Sequence, residues 1–117
     1  MRCLCLAYGA QDGWSALIES EQDVLLAQDD VLRKRGARVA AVEPQVITVQ
    51  APDGAAESTD VPFAASQVPL AGFSVIEDND IDEAIRLVAN APCPRVGGAI
   101  EVRPIMRLND DALAPKD

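Results

Sequence analysis

The sequence predicts an α+β domain, an antiparallel sheet with two main helices on one face and an extended β-hairpin. Three observations point there. Short apolar or β-branched runs recur at residues 2–8, 38–43, 46–50, 70–77 and 99–106. Residues 21–35 and 80–91 carry the three-and-four spacing of amphipathic helices. Between these segments, Gly and Pro stand where a chain reverses.

Residues 2–8 are almost continuously apolar, as in a strand covered on both sides. A turn over 9–13 leads to a short helical segment at 14–18. Ser20, with Asp23 three residues on, reads as the N-cap of the first long helix. Its expected apolar stripe is Val24, Ala27 and Val31 with Leu25 and Leu32, and Arg33, Lys34 and Arg35 suit its C-terminal end. Gly36 supplies a left-handed stop. A strand at 38–43 ends at Pro44, and 46–50 and 57–61 form the arms of a hairpin turned by Pro52, Asp53 and Gly54. Residues 62–69, bounded by prolines, lack periodicity, and irregular connections of this kind often hold sites.

Residues 70–77 read as a central strand in which Gly72 permits close backbone approach. Asp80 and Glu83 form a capping box for a helix whose apolar face is Ile81, Ala84, Ile85 and Val88 and which Pro92 terminates. Gly97 and Gly98 turn the chain into the last strand, 99–106. With right-handed crossovers this order gives the ferredoxin-like split βαβ arrangement. Two helices cover one face of a four-stranded sheet, so the other face is expected to pair with a second copy in a homodimer.

Composition narrows the function classes. At 117 residues the chain is one domain, expected over 1–106 with a polar tail at 107–117. A formal charge of −9 repels phosphate backbones and anionic membranes. Aromatic residues make up only 3 %, too few for a base-stacking platform, so nucleic acid is not an expected partner. No run of eighteen apolar residues is present to cross a membrane, and the opening apolar run is too short for a signal peptide. Three cysteines, an odd number, fit a reducing cytoplasm better than a disulfide framework.

Four separated motifs carry a family resemblance: Leu4-Cys5-Leu6-Ala7-Tyr8-Gly9, Asp60-Val61-Pro62-Phe63-Ala64, Leu70-Ala71-Gly72-Phe73 with the acid-rich 77–85 segment, and Gly98-Ala99-Ile100-Glu101-Val102-Arg103-Pro104-Ile105. Together, over residues 2–106, they resemble the YCII-related, or DGPF-domain, proteins. The resemblance implies a dimeric α+β barrel, a bacterial origin and, for most such proteins, no established activity. Some relatives are lyases or dehydrochlorinases that use a His and Asp pair, and others are encoded near or fused to sigma factors. This chain has no histidine, so that dyad is absent in its usual form. Val61 stands where the family motif has Gly, and a β-branched residue there is expected at negative φ in an altered loop.

The candidate residues each have two readings. Cys3 and Cys5 alternate on a strand and share a face; with no imidazole to complete a metal site, they read as small buried hydrophobes, and neither metal nor cofactor is expected. Cys93 between two prolines has no basic cluster to activate it. Glu101 and Arg103 share a strand face, as an ion pair or as a carboxylate clamp with its orienting acid. Asp60 is a turn former or a general base, and Tyr8 a core ring or a proton donor. Gln28, Asp29 and Asp30 lie mid-helix near where catalytic relatives place their histidine; a solvated helix face is the expected reading. Phe63 and Gln28 join Arg103 and Glu101 as candidate ligand contacts. The expectation is therefore a homodimer that binds a small organic ligand or serves as an accessory module. One alternative is a lyase or isomerase acting on a small acid through Asp60, Tyr8 and Arg103, and another is a regulatory partner of a transcription factor.

Overall fold

The computed structural model describes residues 1–95 and 97–109, and the expected polar tail lies outside them from residue 110 onward. The strands are β1 (Arg2–Tyr8), β2 (Arg38–Ala41), β3 (Thr48–Gln50), β4 (Glu57–Thr59), β5 (Leu70–Glu77) and β6 (Ala99–Pro104). The helices are α1 (Gln11–Ser15), α2 (Glu19–Lys34), α3 (Ile81–Val88) and α4 (Pro92–Arg95). Four strands form one sheet in the order β2-β5-β1-β6, every neighbouring pair antiparallel. This is an α+β fold with an antiparallel sheet, as the sequence predicts. β3 and β4 pair only with each other, through a turn at which Gly54 takes φ 88°.

Pleating sorts the sheet residues between two faces. Cys3, Cys5 and Ile76 are buried, and with Leu32 of α2 and Ala84 and Val88 of α3 they make the core, beside which Ser74 is also buried. Their register partners Val39 and Val102 pack against the same cluster. Leu4, Leu6, Tyr8, Phe73 and Val75 occupy the alternate positions, on the face without helices. Gly72 and Gly98 need the absence of a side chain: a Cβ at Gly72 would run into the Ala40 carbonyl, and one at Gly98 into that of Tyr8.

Several boundaries differ from the sequence reading. α2 starts at Glu19 with Ile18 as its N-cap, not Ser20; the Ile18 N–H donates to Glu21 Oε1 at 3.1 Å, which satisfies that donor without a capping hydroxyl. Val24 and Val31 face out, 63 % and 45 % exposed. Leu25 and Leu32 turn inward as expected, joined by Gln22 and Asp29 at spacings of three, four and three along the helix. Residues 11–15 are helical rather than a turn followed by a lead-in. On α3 the Asp80 cap holds, its carboxylate accepting from the Glu83 N–H at 2.8 Å, while Glu83 accepts from the Asn79 N–H at 2.7 Å. The helix stops at Val88, and Pro92 opens α4 instead of ending α3, since proline suits a first helical position. Ile85 is half exposed; Leu87 packs inward in its place.

Candidate functional site

Between α2, α4 and the covered sheet face lies a hollow of about 200 Å³. Small residues keep it open: Ala7 and Gly72 line its floor and the exposed Ala41 its mouth, where larger side chains would fill it, and Leu32, Val88 and Ile100 form apolar walls. Five residues bring polar groups to it: Asp29, Arg33, Cys93, Cys5 and Ser74. Asp29 of α2 stands on the inward stripe, Cys93 of α4 lies opposite, and Cys5 sits beside Ser74 at the bottom. Burial pushes the Asp29 carboxyl above its ordinary range; Arg33 opposes this and Asp30 adds to it. The Arg33 guanidinium bonds Asp30 at 2.8 Å, and among the described residues none hydrogen-bonds the Asp29 carboxylate. The Cys93 thiol is also pushed up, by burial first and then by the charge of Asp29. Such a thiol is protonated at neutral pH and a poor nucleophile.

Asp29 read in the sequence as part of a solvated face. The signal that finds it is spacing, because Gln22, Leu25 and Leu32 fix a stripe on which position 29 must point at the sheet. Asp78 was missed altogether. It is 5 % exposed, with neither carboxylate oxygen hydrogen-bonded among the described residues. The adjacent Cys3 thiol is pushed up to about 11, by its burial first and then by Asp78. Cys3 and Cys5 are the buried small hydrophobes that the alternation predicts, at 0 % and 1 % exposure. Cys5 is pushed up by burial, in part countered by its hydrogen bond with Ser74.

The open sheet face carries the other candidates. Tyr8, Glu101 and Arg103 line a depression of about 360 Å³ against residues 64–68. Arg103 donates to Glu101 at 3.0 Å, so the pair is an exposed ion pair. Asp60 and Phe63 are exposed and do not line that depression; Phe63 is 78 % exposed. Gln28 is half-buried on α2, outside the lining of both hollows. Tyr8 and Arg103 are thus brought together without Asp60. Among the described residues no three of His, Cys, Asp and Glu are grouped as metal ligands, and no helix is long and apolar enough to cross a membrane.

An antiparallel four-stranded sheet with helices on one face and a small hollow between the layers defines a class of compact α+β proteins. The chain belongs to the YCII-related domain family, whose model matches residues 1–109. A comparison with curated proteins finds no match.

Proposed function

We propose that the protein is a small cytoplasmic homodimer whose role is to bind a small organic molecule in the hollow between α2 and the sheet. The observation that carries this reading is an apolar cavity with a single desolvated carboxyl, Asp29, set among walls of small and aliphatic residues. At about 200 Å³ it falls below the roughly 300–1,000 Å³ of pockets for drug-sized ligands. The fitting ligand has a compact apolar body and one hydroxyl or amine to donate to Asp29.

Binding is favoured over catalysis. The thiols beside the cavity are held protonated, and the lyase reading requires Asp60 in the depression of Tyr8 and Arg103, where it does not stand. Pairing through the open face is supported by Leu4, Leu6, Phe73 and Val75, an apolar band over which no helix of the described residues packs. Three free cysteines support a reducing compartment.

A thermal-shift screen of small alcohols, phenols and amines tests the assignment, since a ligand of the native state raises the midpoint. The expected result is a class that stabilises the wild type but not Ala41→Phe, which fills the mouth of the cavity. A library without a stabilising compound, or one whose ligands act equally on both proteins, refutes it.

A further inference from the structure

The hairpin formed by β3 and β4 belongs to no layer of the fold. Every residue from 49 to 67 is exposed, and Ile47, Val49, Val61 and Phe63 are 61 %, 61 %, 59 % and 78 % exposed. Such a cluster on an arm is costly to leave in water and marks a contact surface. Its charge is one-sided: residues 43–63 contain Glu43, Asp53, Glu57 and Asp60 and no Lys or Arg.

The complement lies at the far end of the sheet. Arg2, Arg38 and Arg107 surround a hollow of about 650 Å³ that also contains Glu77, with Val75 and Leu108 as apolar walls. Arg2 and Glu77 approach to 4.0 Å, and Arg38 and Arg107 add two further positive charges to the lining in a chain of net charge −9.

Topology puts arm and hollow at opposite ends. The arm leaves the sheet after Ala41 and returns at Leu70, beside Tyr8, whereas the hollow gathers where β1 and β2 begin and β5 ends. Two copies packed face to face, their strand ends opposed by a two-fold axis, bring each arm over the other's hollow, and the exchange closes with two identical contacts.

We infer that the acidic hairpin arm of one copy seats in the arginine-lined hollow of a second copy, and the reverse. This rests on the face-to-face pairing proposed above. Charge complementarity sets the orientation of the pair, and Val61 and Phe63 cover part of the partner's apolar band.

Charge exchange tests it. Arg38→Glu/Arg107→Glu places acidic arms against acidic hollows, and Asp53→Lys/Glu57→Lys/Asp60→Lys places basic arms against basic hollows. In sedimentation at low salt each variant alone is expected to dimerise at least about tenfold more weakly than wild type. An equimolar mixture is expected to restore the dimer as a heterodimer, because both contacts become complementary. Two variants that dimerise as tightly as the wild type overturn arm docking while the sheet pairing stands. A mixture that stays monomeric also overturns it, and the single exchanges Arg38→Glu and Glu57→Lys repeat the test if a multiple variant fails to fold. A wild type that is monomeric at tens of micromolar overturns the pairing itself.

Discussion

The two faces of the sheet are built from different residues for different ends. The covered face sets Cys3, Cys5 and Ser74 beside Ile76, Val39, Ile100 and Val102 beneath α2 and α3. The open face carries the bulk: Leu4, Leu6, Tyr8, Phe73 and Val75, rimmed by Arg2, Arg38, Glu101 and Arg103. The two rings of the sheet, Tyr8 and Phe73, thus lie where no helix of the described residues packs, and the face that has its cover leaves a hollow under it. Folding of one copy and association of two are therefore carried by separate side chains of the same strands.

Paired truncations on β5 bear most directly on that separation. Ile76, 2 % exposed, points to the helices, and Phe73, 37 % exposed, points away. Ile76→Ala is expected to cost about 3 kcal/mol in urea unfolding of dilute protein, through lost burial and the cavity left behind. Phe73→Ala is expected to cost the single copy less than about 1 kcal/mol while weakening dimerisation. Equal losses in the two variants would erase the distinction between the faces.

Gly72 sharpens it from the backbone side. A methyl group there meets the Ala40 carbonyl, which belongs to the neighbouring strand and cannot rotate aside. Gly72→Ala is expected to push β2 off β5 and lower stability by about 2 kcal/mol. Protection of the Val42 amide, bonded to the Ala71 carbonyl at 2.9 Å, falls with it in hydrogen exchange. Unchanged protection would mean that the strands tolerate the methyl.

Much of the sheet was legible because its signals are local. Residues 70–77 form β5 with the bounds expected, and the cap at Asp80 and the left-handed Gly36 and Gly54 follow from backbone chemistry alone. The inward stripe of α2 was legible in part: Leu25 and Leu32 turn in as expected, while Val24, Ala27 and Val31 fit helical spacing equally and only tertiary packing turns them out. The hollow was illegible for a related reason: Ala7, Ala41, Gly72 and Cys93 are distant in sequence, and no local signal brings them together. The ion pair of Glu101 and Arg103 could be read, since two residues apart on one strand share a face.

A smaller effect belongs to the α3 cap, which anchors the helix that closes the covered face. Asp80→Ala removes the acceptor for the Glu83 N–H and is expected to cost about 1 kcal/mol in thermal or urea unfolding. Asp80→Asn, which keeps an acceptor oxygen, is expected to recover most of it. If Asp80→Asn loses as much as Asp80→Ala, the charge at the helix N-terminus matters more than the hydrogen bond.

The smallest expected change is the one most specific to the hollow. Burial raises the Asp29 carboxyl above its unfolded value, so the native state holds that proton more firmly than the unfolded state does. Stability from this group accordingly falls as pH rises from the ordinary aspartate range through the raised native value, and the deficit persists at neutral pH. It vanishes below the unfolded value, where both states are protonated. Asp29→Asn cannot ionise, so it is expected to be slightly more stable than the wild type at pH 7 and to lose that advantage in acid, as read from unfolding midpoints across the range. A ligand that donates a hydrogen bond to the carboxylate reverses the balance, holding the wild type above the variant at neutral pH. An Asn variant less stable than the wild type without ligand would mean that the carboxylate is already partnered, and the hollow would then offer no free carboxylate to a ligand.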